Sequence, residues 1–183
     1  MAGHVFIAVS VDGYIATVDG GVEWLDEPDV AVLDDGTPDD MGWTEFIDGI
    51  DALVMGRASF EKVLSFGEWP YEVPVVVLSS TMTEVPAHLT DQAEVSALEP
   101  LVLVESLAAR GWNELYVDGG RVVTSFLAAG LVSDLTITTV PVVLGGGIPL
   151  FGALPAPITL EHVMTRAFSN GMVQTRHRVA AVG

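Results

Sequence analysis

An apolar stretch that runs straight into paired glycines and then a helix-forming segment is a place where a backbone can hold an anion. Leu115-Tyr-Val-Asp-Gly-Gly-Arg-Val-Val-Thr-Ser-Phe-Leu127 has that order. Paired glycines let the main chain approach a phosphate closely, and the amides of the following first helical turn point at it with the positive end of the helix dipole. A second junction of the same kind lies upstream in Asp51-Ala-Leu-Val-Met-Gly-Arg-Ala-Ser-Phe-Glu61. Either one alone is equally well read as a glycine shortening a strand-to-helix turn. Two anion cradles in one chain suit a dinucleotide.

The charge balance narrows the ligand. The 183 residues carry a formal net charge of −18, with one lysine, Lys62, and six arginines. A polyanion would be repelled, which argues against nucleic acid. A small phosphorylated ligand needs only one or two local cations plus backbone amides, and Arg57 and Arg121 directly follow cradle glycines. With no cysteine, disulfides, thiol catalysis and thiolate metal sites are excluded, and four scattered histidines offer no metal cluster. No run approaches the roughly 18 uncharged apolar residues of a membrane span, and the first residues lack a basic signal-peptide region. The expectation is one globular, cytoplasmic domain over 1–183, without membrane contact.

The elements that must position these cradles alternate. Residues 4–11, nearly all apolar, predict a central strand buried on both faces. Residues 17–40 are rich in Asp, Gly and Pro, long for a connection in a compact domain, and predict a mobile active-site loop with Trp24 as its aromatic anchor. Helices follow around 41–49, 57–65, 99–110 and 121–129, and strands at 52–55, 73–80, 94–97, 114–117 and 134–144. Residues 158–168 and 172–179 flank Ser-Asn-Gly, a hairpin signal. The pattern predicts an α/β fold: a mixed sheet with an antiparallel C-terminal hairpin, covered by helices on both faces.

Familiar nucleotide sites are absent. Gly145-Gly-Gly-Ile-Pro-Leu150 approaches a Rossmann fingerprint but fails at its last glycine, the lone lysine follows Glu61 rather than a glycine, and no Gly-x-Ser-x-Gly surrounds any serine. A different scaffold must hold the dinucleotide.

Five ordered motifs supply one: Ala8-Val-Ser-Val-Asp-Gly-Tyr-Ile-Ala16, Met55-Gly-Arg-Ala-Ser-Phe-Glu61, Val77-Leu-Ser-Ser80, Tyr116-Val-Asp-Gly-Gly120 and Pro141-Val-Val-Leu-Gly-Gly-Gly147. In that order the chain resembles the dihydrofolate-reductase-like superfamily, closest to the reductase domain of the bifunctional riboflavin-biosynthesis deaminase/reductase and its stand-alone relatives. The resemblance implies a three-layer α/β/α sandwich on a mixed sheet of about eight strands, and hydride transfer from NADPH. It also implies site roles. Ala8 and Ile15 would hold the nicotinamide carboxamide through the main chain, and Gly56, Arg57 and Ser59 would cradle one end of the pyrophosphate and the 2′-phosphoribose. Ser79 and Ser80 would face the adenosine ribose and its 2′-phosphate, while Gly119, Gly120, Arg121 and Val122 would take the pyrophosphate. Trp24 and Phe46 would line the substrate side.

The resemblance carries Asp40 over as the candidate proton donor when positions are counted back from Met55. Aligned on Phe46 instead, the position falls on Gly42. Asp39 and Asp40 are equally suited to capping the next helix. Three functions follow: a reductase acting on the ribosyl group of a phosphorylated aminopyrimidine, a dihydrofolate or pterin reductase, or a non-catalytic nucleotide-binding module. Arg166, Arg176 and Arg178 in the C-terminal hairpin are cations that could reach a substrate phosphate or form a dimer edge, and a homodimer built partly on that hairpin is expected. These residues contain no cysteine ligands for a zinc deaminase.

Overall fold

The computed structural model describes residues 1–26, 28–34 and 36–180. In chain order the elements are β1 (Ala2–Ser10), β2 (Tyr14–Ala16), α1 (Trp43–Asp48), β3 (Ala52–Gly56), α2 (Arg57–Leu64), β4 (Val75–Leu78), β5 (Ala93–Ser96), α3 (Pro100–Ala108), β6 (Glu114–Asp118), α4 (Gly120–Ala128), β7 (Val132–Val140), β8 (Ile148–Pro149), β9 (Leu160–Ala167) and β10 (Val173–Val179). Eight strands form one sheet in the order β5-β4-β3-β6-β1-β7-β10-β9, and β2 and β8 form a separate two-stranded ribbon. The six strands from β5 to β7 run parallel, and β10 and β9 are antiparallel additions at one side. This is the mixed sheet with a C-terminal hairpin that the sequence predicts.

Burial explains which runs became central strands. Leu53, Val54 and Met55 are wholly buried, as are Val76 and Val77, because helices cover both faces of this part of the sheet. On one face Phe60 and Val63 of α2 pack with Leu53, Met55, Val75 and Tyr116, and α1 adds Trp43 and Phe46. On the other, α3 and α4 place Leu103, Leu107, Val123 and Phe126 against Val54, Leu115 and Val117. Two separate cores therefore sandwich the sheet.

Several boundaries depart from expectation. The first strand starts at Ala2 rather than residue 4. The run 134–144 ends as a strand at Val140, before Pro141, and begins earlier, at Val132. The β2–β8 ribbon was not foreseen, since pieces of three and two residues carry no readable period.

Asp134 sits inside β7 because it is held. His4 on β1 lies between Glu114 on β6 and Asp134 on β7, with a ring nitrogen 2.7 Å from each carboxylate. Both ring nitrogens thus have acceptors, which favours imidazolium and ties three neighbouring strands at their start. The Asp134 hydrogen bond is the largest influence raising the His4 pKa above its ordinary 6.5. A histidine whose folded pKa is raised contributes stability fully below about pH 6.5 and loses it as pH climbs through the folded value. His4→Gln is therefore expected to lower the melting temperature by several degrees near pH 6, with the deficit shrinking toward pH 9. Paired thermal scans of both proteins across that range provide the check.

Candidate active site

Adjacent strands β3 and β6 send their following helices to opposite faces, α2 toward Leu53 and Met55 and α4 toward Val54 and Val117. Such a switch in direction opens a crevice beyond the carboxyl ends of the strands, where α/β sheets bind ligands. Both glycine junctions fall there. A Cβ placed on Gly119 would lie 2.5 Å from Ser59 Oγ and 4.0 Å from the Gly56 nitrogen, so the two cradles abut. Gly119 also adopts φ +87°, a conformation that disfavours any side chain.

Gly120 answers a different constraint from the one the sequence suggests. Its hypothetical Cβ would stand 2.4 Å from the Pro149 carbonyl oxygen, 3.0 Å from that of Leu150 and 3.4 Å from Ile15. Close packing against the β8 segment, rather than the approach of a phosphate alone, requires glycine here. Gly120→Val is accordingly expected to lower the unfolding free energy by about 1–3 kcal/mol or more, read as a shift in denaturant midpoint, before any ligand is added.

Arg57 and the Ser79 turn lie beside the first cradle, and Arg121 beside the second. Arg57 heads α2, and its guanidinium donates to Glu61 Oε1 at 2.6 Å and to Thr81 Oγ1 at 3.2 Å. Ser79 Oγ accepts from the amides of Thr81 and Met82, which shapes the turn after β4 into a small polar pocket beside Arg57. Ser80 is exposed on the same turn. Arg121 is exposed in the first turn of α4 and, among the described residues, makes no hydrogen bond or ion pair. Val122 is buried and packs beside Gly56.

The first and last motifs are physically one unit. Asp12 accepts from the amides of Leu144 and Gly145 at 3.1 and 2.8 Å, and from the Ser10 hydroxyl at 2.7 Å. The Ser10 bond leads the influences that hold its carboxyl below the ordinary range. A Cβ on Gly147 would come within 2.2 Å of the Ala16 carbonyl, so this glycine lets the turn close on β2. Ile15 is thereby set against Gly120. Ala8 packs with Trp24 around Val140.

Trp24 is 6% exposed and is covered by Ala31, Val140, Phe168 and Met172. It pins the 17–40 segment onto β7 and the hairpin, and its buried indole N–H has no partner among the described residues. Phe46 lies half-buried in an aromatic group, its ring centroid 4.9 Å from Phe6 and 5.1 Å from Tyr116.

Asp40 does not sit in this crevice as a buried acid. It is exposed, and its carboxylate accepts from the amides of Gly42 and Thr44 at 2.9 and 3.1 Å, the capping role that was its alternative. The Gly42 bond leads the influences holding its carboxyl below the ordinary range, the reverse of what a proton donor requires. Asp39 is engaged too, by the Met41 amide and by Arg166.

A better placed carboxyl is Asp118, which lies inside the motif Tyr116-Val-Asp-Gly-Gly120 but has no role assigned to it by the resemblance. It ends β6 on the α1/α2 face and is immediately followed by Gly119. The Tyr116 hydroxyl lies 2.9 Å from the Phe6 carbonyl and 3.4 Å from Asp118 Oδ1, and the Ser59 hydroxyl and Gly119 amide also serve this carboxylate. Burial outweighs these bonds and pushes the Asp118 carboxyl up. Tyr71, raised chiefly by burial and further by Asp118, borders the same group. The sequence signal was a charge closing the Leu115–Val117 run of a central strand, a costly placement without a purpose.

The sheet order, with its antiparallel C-terminal pair, is that of the dihydrofolate-reductase-like α/β fold. The chain belongs to the RibD C-terminal domain family, whose sequence profile matches residues 3–174. It is 31% identical over 171 residues to the uncharacterized protein YwjB of Bacillus subtilis (strain 168), covering 91% of this chain and 92% of that one. It is also 31% identical over 182 residues to YyaP of the same organism, covering 92% and 89%. A crystal structure from Shewanella sp. PV-4, provisionally assigned to riboflavin biosynthesis, superposes with TM-score 0.91 at 38% identity, over 99% of this chain and all of that one. The deaminase/5-amino-6-(5-phosphoribosylamino)uracil reductase of Thermotoga maritima shares the fold, with TM-score 0.71 at 16% identity, over 98% of this chain and 56% of its own length. No helix among the described residues is long and apolar enough to cross a membrane.

Proposed function

We propose that this protein is an NADPH-dependent reductase of a small heterocyclic substrate, of the type that reduces the ribosyl group of a phosphorylated aminopyrimidine. The observation that carries the reading is the abutment of Gly119 and Ser59, which joins two amide-rich helix starts into one crevice with Asp118 at its floor. The residues present fit the cofactor. Amides at Gly56 and at Gly120–Val122 would receive the pyrophosphate, with Arg121 supplying charge, while Arg57, Ser79, Ser80 and Thr81 would meet the 2′-phosphate. Ala8 and Ile15 lie on the wall made by β1 and the ribbon, where a carboxamide would meet main-chain groups.

When bound, NADPH supplies a hydride. Reduction of a C=N or C=O bond also needs a proton on the heteroatom, and Asp118 is the group placed to hold one. Its carboxyl retains its proton to a higher pH than an exposed aspartate would, because burial penalises the anion. After the transfer the resulting carboxylate is stabilised by Tyr116, Ser59 and the Gly119 amide until it regains a proton from water. Asp40, as an exposed cap, leaves the helix after the 17–40 segment without the acid that dihydrofolate reductases keep beside the pterin, which favours the aminopyrimidine class. The test is NADPH consumption against a ribosylaminopyrimidine phosphate and a dihydropterin, with the ribityl product identified by mass. Turnover of the first and not the second is expected.

A further inference from the structure

We propose that Arg166 and Gln174, directly opposed on β9 and β10, are positioning residues for the substrate side of the crevice and act through α1. The kinetic part of this role rests on the reductase reading. Among the described residues Met41 is the one residue other than glycine with positive φ, at +56°, and Gly42 follows it at +84°. A left-handed residue that carries a Cβ is disfavoured by crowding against the backbone, and persists only where its surroundings fix it. Two groups fix this one from opposite ends. The Gln174 amide, 3% exposed, donates to the Met41 carbonyl and to Thr138 Oγ1, both at 3.1 Å. The Met41 amide donates to Asp39 Oδ1 at 2.9 Å, and the Asp39 side chain, 6% exposed, is held in turn by Arg166. The Arg166 guanidinium lies 4.6 Å from the centre of the Phe168 ring, which keeps it in place. A buried amide or carboxylate is costly unless bonded, and these two are bonded so as to fix residues 39–41.

The entry to α1 is what the pair secures. The helix has six residues, none of them buried, and is too short to hold itself in place. It begins two residues after Met41, so the direction taken at Met41 and Gly42 decides where its aromatic side chains arrive. The Trp43 ring meets Phe6 at 5.6 Å and Tyr116 at 5.8 Å, edge to face, beside Phe46. Tyr116 carries the hydroxyl within reach of Asp118. An aromatic wall next to the proposed proton donor thus depends on two side chains of the C-terminal hairpin. Their bonds go to Asp39, Met41 and Thr138 and not to α2 or α4, so the substrate and cofactor sides should respond separately.

Gln174→Met keeps the length of the side chain and removes both donors. It should lower kcat/KM for the ribosylaminopyrimidine phosphate by about tenfold or more, while the NADPH dissociation constant stays within about twofold. Adding Met41→Gly should restore most of the loss, because glycine takes positive φ without strain. Adding Met41→Ala, which removes the same side chain but keeps Cβ, should not. Amide exchange in residues 43–48 should quicken in Gln174→Met and slow again with glycine only, a readout that requires no turnover. Arg166→Gln should act in the same direction, and together with Gln174→Met should lose less than the product of the two separate losses, since both hold one tripeptide. If Gln174→Met does not fold, the glycine and alanine comparison is made on Arg166→Gln, whose site is half-exposed. Equal rescue by glycine and alanine, or unchanged exchange in α1, overturns the proposal. So does a change in NADPH binding as large as that in kcat/KM. A wild type that turns over no aminopyrimidine while the exchange pattern holds refutes the reductase reading and leaves the hold on α1 standing.

Discussion

Asp118→Asn is expected to lower reductase turnover by about 10²–10⁴-fold, the range for removing a positioned general acid, while binding of NADPH is largely retained. The loss should fall on kcat, because in the proposed role the carboxyl acts on the reacting bond and not on the cofactor's phosphates. The same substitution is expected to make the protein more stable at neutral pH. A carboxyl whose folded pKa lies above its unfolded value weighs against folding once pH passes the ordinary 3.8, and does so fully above the folded pKa. Asparagine removes that penalty and can still accept the Gly119 amide. Melting temperature should therefore rise relative to wild type at pH 7–8, with the gain vanishing toward pH 3–4, where both states are protonated. Lower activity with higher stability marks a residue retained for chemistry, and a destabilised variant of unchanged kcat would assign Asp118 to the core instead.

Arg57→Ala is expected to weaken NADPH by roughly ten- to over a hundredfold, equivalent to about 1.5–3 kcal/mol for a charge-assisted hydrogen bond, and to leave NADH nearly unaffected. The 2′-phosphate brings negative charge into a protein that is already −18, so a specific cation must meet it. Arg57 is held over the Ser79 turn by Glu61 and Thr81. Its ion pair with Glu61 joins two half-exposed side chains and is worth little by itself, so the cation can be redirected to a phosphate at low cost. Dissociation constants for both cofactors in wild type and variant decide the matter, and an unchanged ratio would remove Arg57 from the 2′-phosphate site. Glu61→Gln, by freeing the guanidinium, should tighten NADPH modestly.

Much of this was legible in the chain because the parallel strands are buried on both faces. Leu53–Met55 and Val75–Val77 had to be continuous apolar runs, and the glycines after β3 and β6 marked where each run turned into a helix. What stayed hidden depended on partners distant in sequence. Trp24 could be read as an anchor, but Val140, Phe168 and Met172, which bury it, lie more than a hundred residues away. Gly120 could be read as a close approach, but not that the approaching group is the carbonyl of Pro149. Asp118 and Asp40 are both carboxylates shortly ahead of a glycine in the sequence. Only the fold separates them, by half-burying one within reach of the Tyr116 hydroxyl and leaving the other to bind the amides of its own next turn.

The two cradles belong to different cores. Ser59 and its helix are rooted in the layer of Phe60 and Met55, and Gly120 in the layer of Phe126 and Val117, with the sheet between them. A dinucleotide laid across both is in effect a rivet through three plates: any local opening of either helix must first release the shared ligand. Saturating cofactor should therefore slow amide exchange in α2 and α4 together, although the two helices lie on opposite sides of the sheet.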